Sequence, residues 1–497
     1  MSGGGKEPKD QEGATGATPG AVISRRQFLK IAGVAGAAVG MSAGLGGLLA
    51  ACGKETTTTT GAPTTGAPTT GAPTTATTAA ASTTTVSAAA EMGREIKVGV
   101  VMPKTGPLAA FGPADEWGAS LAAEVIGDGM ILGDAKKHPI TFVLRDCQSD
   151  SNRAAQIAGD LIQNDKVDIL LGSVTPDVTN PAADQAEAMG TPFMTSYAPW
   201  QAFIFGRGAD LTKTFKWTYA HSMGTEQMGY SIIGAVDQIP NNKMVALITM
   251  NNPDGNAWLD DKYGTPVALR KYGYELVASA QFNLGSEDFT KEIATFKKAG
   301  VDVLIAAMQP PDFTNFWKQS MQQGFTPKIP SGGLGITMPP GVAGIGPQAV
   351  GLIIEHGWTR DYPYIDPLTG MNCPQLAERW EKDTNLQEQL SIGFLDKFSW
   401  TVDVLKRTKN LDDKESIVEA IKTTKMDSIT GPIDFTAPID ADPTTIDSFR
   451  PHPNVSKPVW TGAQWIKGTK WPVDAVTVNN VLAPTVPTVP TVPYVYA

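Results

Sequence analysis

The chemically capable residues of this chain cluster just after short apolar runs. The run Ile96 to Met102 leads into a loop, Thr105 to Gly112. There Gly106 and Pro107 shape a turn, Phe111 adds an apolar face, and backbone N–H groups suit a carboxylate or another acceptor. Ser173, Val174 and Thr175 stand just past an apolar run ending at Gly172. The two hydroxyls there donate to an anion or a carbonyl, unless Thr175 caps the following helix instead. Asp254 follows a third run, within Pro253-Asp254-Gly255. It pairs with a cationic group or forms a turn of its own. Gln309 ends a fourth run. All of this is binding chemistry. No Walker-type phosphate loop and no CxxC pair occurs. The four histidines, His138, His221, His356 and His452, lack the spacing of a helical metal site and read as surface or capping residues. No catalytic residue, metal site or cofactor is expected.

Regular alternation of strand and helix patterns must position these groups. Strand-like runs at Ile96–Met102, Ile140–Leu144, Asp168–Leu171 and Pro192–Ser196 alternate with helical patterns at 114–126, 151–163 and 177–189. Ser151 is the expected N-cap of the second helix. After a helical stretch at 223–237 the pattern restarts. Strands are expected at 244–249, 275–280 and 301–307, with helices at 258–272, 288–298 and 312–323. Each series implies an α/β parallel sheet covered on both faces. Two such doubly wound, Rossmann-like units make two lobes, and ligands sit beyond the carboxyl ends of their strands or between domains.

The whole chain agrees. Its 497 residues suffice for two lobes plus tails, and 41% hydrophobic with 18% charged residues is a globular balance. A net charge of −10 argues against nucleic acid as a partner. Near the start, Ser24-Arg25-Arg26-Gln27-Phe28-Leu29-Lys30 precedes a weakly apolar, Gly-rich stretch ending in Leu49-Ala50-Ala51-Cys52. The first part resembles a twin-arginine export signal. The second resembles a lipobox, whose cysteine, Cys52, is lipidated and anchors the chain to the outer face of a membrane. Residues 1–52 are thus expected to be signal. Residues 53–93, with Gly61-Ala62-Pro63-Thr64-Thr65 repeated through Thr75, are an expected disordered linker. Residues 481–497, rich in Pro, Thr and Val, are an expected extended tail. Cys147 and Cys373 could pair, but spacing does not establish it.

From about Glu95 to Asp474 the sequence resembles the periplasmic binding proteins of type I fold, in particular the leucine/isoleucine/valine-binding branch of transporter receptors. The stretches that carry this are Ile96-Lys97-Val98-Gly99-Val100 with Thr105-Gly106-Pro107 and Phe111-Gly112; Asp146 before Ala154-Ala155 and Leu161-Ile162, then Gly172-Ser173; Asp288-Phe289-Thr290 before Gly300-Val301-Asp302-Val303-Leu304; Phe316, Gln319 and Gly324-Phe325; and Gly431-Pro432-Ile433-Asp434-Phe435. The resemblance implies three crossings between lobes, near 216–219, 351–356 and 429–434. Lobe 1 is then 94–219 with 357–428, and lobe 2 is 220–356 with 429–480.

It also implies Tyr197, Ala198 and Phe394 as ligand contacts. It puts Leu334, within Gly332-Gly333-Leu334-Gly335, where amino-acid-binding relatives carry an acidic partner for the ligand's ammonium. An unpaired buried ammonium is costly. Either Asp254 supplies the charge or the ligand is not an α-amino acid. Trp117, Trp200, Trp258 and Trp358, four of the 11 tryptophans, are further candidates beside the cleft. The implied role is capture of a small polar ligand, a branched-chain or related amino acid, by hinge closure and delivery to the permease of an ABC transporter. An amide, urea or aromatic acid, or a sensing role, is the alternative. A monomer without enzymatic activity is implied.

Overall fold

The computed structural model describes residues 90–496. The signal at 1–52 with Cys52, and the linker as far as residue 89, lie outside the described residues. The globule begins slightly before Arg94: Met92 bridges to Lys137, and the Gly93 N–H donates to the Lys137 carbonyl at 2.9 Å.

Two sheets organise the chain. The first is parallel throughout, in the order Val455–Ser456, Thr218–His221, Phe193–Ser196, Ile169–Leu171, Ile96–Met102, Ile140–Asp146. The second runs Val473–Asn479, Thr461–Lys467, Ile353–His356, Ile329–Leu334, Val303–Met308, Met244–Met250, Glu275–Phe282. Its last five strands are parallel, and Thr461–Lys467 is antiparallel to both of its neighbours. The central strands are apolar without alternation (Val303–Met308 is buried along its length) because helices cover both faces. In each sheet the first strand of the series lies inside, so strand order reverses beside it. Loops on either side of that point diverge and leave a crevice at the carboxyl ends.

The third crossing is not at 429–434. Residues 425–434 form a separate hairpin, Lys425–Ser428 with Gly431–Asp434, and the Phe435 ring just beyond it stacks on Trp400 at 5.3 Å. The chain then returns to the first sheet as Val455–Ser456, held by Asn454, whose side chain donates to the Phe215 and Thr218 carbonyls at 2.9 Å each. Only after Ser456 does it enter the second sheet, so the 429–456 stretch is misplaced by the expected boundary. Residues 220–221 likewise belong to a first-sheet strand.

Smaller expectations change too. The helix Ser151–Gln163 is capped by Asp150, which accepts from Arg153 N–H at 2.7 Å, while the Ser151 hydroxyl donates to the Asp177 carbonyl. All four histidines are buried rather than exposed. His221 lies 3.3 Å from Ser456 Oγ and 3.1 Å from Thr430 Oγ1, and burial drives its pKa down to about 3, so it stays neutral. Cys147 and Cys373 are free and buried, with thiol pKa values pushed up to about 11 and about 12 by burial. Residues 480–496 have neither helix nor strand but pack on the globule: Ala483 and Val486 are buried, and Tyr494 and Tyr496 lie against Trp317.

Candidate functional site

The carboxyl ends of the two sheets face each other across a cleft. One wall is Phe111, Val174, Thr175, Tyr197, Pro199 and Leu390; the other is Met228, Asp254, Trp258, Leu334, Thr337 and Glu355. Met223 and Trp460, beside the crossings, close it at one side. The space between the walls is about 30 Å³, room for about two waters.

The backbone is strained here. Thr175, Tyr197 and Leu334 have φ of 60°, 62° and 50° although none is glycine. Such conformations cost of order 1–3 kcal/mol each and gather at binding and catalytic sites. Thr175 begins the helix Pro176–Ala188 without capping it, and its buried hydroxyl has no hydrogen-bond partner. Tyr197 donates to the carbonyls of Gly357 and Leu390 at 3.2 and 3.4 Å. Its ring packs on Phe394 and Trp460 at 4.6 and 5.8 Å between centroids. A Cβ on Gly393 would stand 2.0 Å from the Tyr197 hydroxyl, so only glycine admits the ring.

Two buried carboxyls share the second wall. Asn252, not Asp254, makes the Asx cap of the helix Pro253–Leu259: it accepts from Gly255 N–H at 2.9 Å and donates to Asp177 at 2.7 Å. Asp254 is thereby left with Oδ1 unpartnered. Burial first, then the nearby charges of Asp177 and Glu355, push its pKa up to about 8. Glu355 accepts from the Leu334 N–H at 3.3 Å and from Trp460 Nε1 at 3.2 Å. Burial still raises it to about 7. Among the described residues no Lys, Arg or His lines the cleft.

Of the expected contacts, the structure brings together Phe111, Val174, Thr175, Tyr197, Asp254 and Leu334. Phe394 stands behind them, stacked on Phe111 at 6.2 Å. Thr105, Gly106 and Pro107 do not reach the cleft. They are exposed, because Asp146 accepts from Thr105 Oγ1 at 2.7 Å and Ser149 donates to the Thr105 carbonyl, folding the loop back on the neighbouring strand end. Ser173 is turned inward and donates to Asp115 at 2.5 Å, and Asp115 pairs with the buried Lys397. Ala198 N–H is taken by Ser222 Oγ at 2.9 Å. Gln309 precedes the helix Pro310–Gln322, and its carbonyl accepts from Phe313 N–H at 2.9 Å. Of the four candidate tryptophans only Trp258 lines the cleft. Trp117 packs edge-on against Trp380, and Trp200 donates to Glu226.

Sequence reasoning missed Glu355, Trp460, Met223, Met228, Pro199, Thr337 and Leu390. Glu355 carried a signal: a carboxylate interrupting the apolar run Leu352-Ile353-Ile354 is costly to bury and asks for a purpose. Trp460 carried none, being brought in by the misplaced third crossing.

A wider recess of about 360 Å³, containing Trp358, Trp465 and Trp471, adjoins the cleft at Thr337. Its cations are already paired, Arg360 with Glu388 and Lys470 with Glu381. The smaller cleft, with its unpaired carboxyl and strained backbone, is the stronger candidate.

Comparison with known proteins bears on the family, the fold and the export signal. Residues 22–42 match the signal sequence of the twin-arginine translocation pathway. The Leu/Ile/Val-binding protein homolog 3 of Brucella melitensis is 26% identical over 221 residues, 44% of this chain and 56% of that protein. The matched stretch thus spans little more than half of that relative. The Leu/Ile/Val/Thr-binding protein of Salmonella typhimurium is 24% identical over 362 residues, 69% of this chain and 87% of its own length. Among solved structures, the branched-chain amino acid transporter substrate-binding protein of Streptococcus pneumoniae in complex with isoleucine aligns with a TM-score of 0.58 at 21% identity, covering 78% of this chain and 99% of that one. An ABC transporter solute-binding protein of Rhodopseudomonas palustris in complex with 3,4-dihydroxybenzoic acid gives 0.58 at 19%, covering 78% and 96%. At these identities the structural likeness is one of fold. Over residues 95–445 the sequence matches the family described as periplasmic binding protein, and the chain belongs to that family.

Proposed function

We propose that the protein is an exported solute-binding component of an ABC transporter, capturing a small ligand that carries a positively charged group and presenting it to a permease. One observation carries the reading: two buried carboxyls, Asp254 and Glu355, meet aromatic rings from both walls of a cleft with no cation to balance them. A ligand ammonium there gains charge-assisted hydrogen bonds in a low-dielectric site. Branched-chain amino acids, named for the relatives, are one class of ligand with such a group. Asp254 and Glu355 then stand in for the acidic residue expected at Leu334.

Cys52 is the proposed membrane attachment, through lipid on its sulfur. Cys52→Ser is expected to move the protein from the membrane to the soluble fraction; an unchanged distribution contradicts the anchor.

A thermal-shift screen of the full chain against branched-chain amino acids, alkylamines and aromatic acids tests the reading. A ligand at a thousand times its Kd adds about 4 kcal/mol of apparent stability. Stabilisation by an ammonium-bearing compound is expected. Stabilisation by aromatic acids alone contradicts the charge argument.

A further inference from the structure

The cleft treats the two ends of an amino acid differently. For the ammonium it offers Asp254, with an unpartnered buried oxygen, and Glu355. For the carboxylate it offers little. The hydroxyl of Ser173 is committed to Asp115, and the nearest cation behind it, Lys397, is neutralised by the same carboxyl. Thr175 N–H donates to the Tyr197 carbonyl at 3.3 Å, and Ala198 N–H is engaged by Ser222. Thr337 donates to the Leu334 carbonyl at 3.0 Å. The Thr175 hydroxyl remains, an unpartnered neutral donor on that wall. A ligand carboxylate would be the third acidic group in a small cleft whose described lining has no side-chain cation, which is strongly unfavourable. Phe111, Tyr197, Trp258 and Trp460 meanwhile line the cleft with aromatic rings, whose faces attract cations.

We infer that the ligand is a primary alkylamine without a carboxylate, its ammonium held by Asp254 and Glu355 and its alkyl body against Met223, Met228 and the rings. This rests on the proposed capture between lobes and narrows its ligand class.

A matched set decides it: leucine, isopentylamine (leucine without its carboxylate) and isocaproate (leucine without its amine). Calorimetric titration of the full chain at pH 8 is expected to give isopentylamine at least about tenfold tighter than leucine, about 1.4 kcal/mol, with no binding of isocaproate. Asp254→Asn and Glu355→Gln are each expected to weaken isopentylamine by about tenfold or more. The unmodified chain adds a control that needs no variant. Asp177 and Glu355 face Asp254, while Trp460 Nε1 and the Leu334 N–H face Glu355, so lowering the pH to 6 protonates the pair and must weaken amine binding. Leucine tighter than isopentylamine, no amine binding at all, or amine binding indifferent to pH overturns the inference. Leucine binding with domain closure would overturn it while leaving the capture reading intact. Amine binding without closure would do the reverse.

Discussion

Asp254 and Glu355 sit where their charge depends on solution conditions. Their folded pKa values, about 8 and about 7, lie above those of the unfolded chain, so between roughly pH 4 and 8 the folded state holds protons that the unfolded state has released. Stability of the ligand-free protein therefore falls as pH rises through that window, by up to about 1.4 kcal/mol per unit of displacement for each group. Asp396, buried beside Thr430 and raised to about 7, adds to the trend. Melting temperature is expected to drop from pH 5 to pH 8.5, and to drop less in Asp254→Asn; a flat profile contradicts the assignment. At the same scale, Gly393→Ala puts a methyl into the Tyr197 hydroxyl and is expected to cost about 2 kcal/mol in urea denaturation. The sequence showed Asp254 because it follows a strand and precedes a glycine. It hid that Asn252 takes the capping role, which leaves Asp254 free; choosing between neighbouring Asx caps needs the backbone direction. Ser173 was likewise legible as a hydroxyl after a strand, but its inward turn depends on Lys397, distant in sequence.

At the scale of elements, the crossings are tied to one another. Ser222 N–H donates to the Ser456 carbonyl at 2.8 Å, Thr461 Oγ1 to the His356 carbonyl at 3.1 Å, and Trp460 to Glu355. The buried Lys457 pairs at 2.9 Å with Glu226, which opens the first helix after the first crossing and also accepts from Trp200 and Gln201. Removing one partner of such a pair strands the other charge. Glu226→Gln is expected to destabilise by about 3 kcal/mol in equilibrium urea unfolding, and a loss below about 1 kcal/mol would mean that Lys457 finds water instead. The strands and helices themselves were readable because apolar runs and helical spacing are local. The third crossing was not, since Val455–Ser456 is a two-residue strand whose place is set by Asn454 bonding across to Phe215 and Thr218. Short edge strands carry too little pattern to be read alone.

For the molecule as a whole, two doubly wound sheets joined by three segments, with a site between them, are the architecture on which the proposed capture by closure rests. That order of lobes was visible only through family resemblance, because composition and periodicity do not say which sheet a returning strand joins. The most direct measurement is small-angle scattering of the full chain with and without whichever of isopentylamine or leucine stabilises it. Capture between lobes predicts that saturating ligand lowers the radius of gyration. An unchanged radius, with binding confirmed in the same sample, would contradict closure around the ligand.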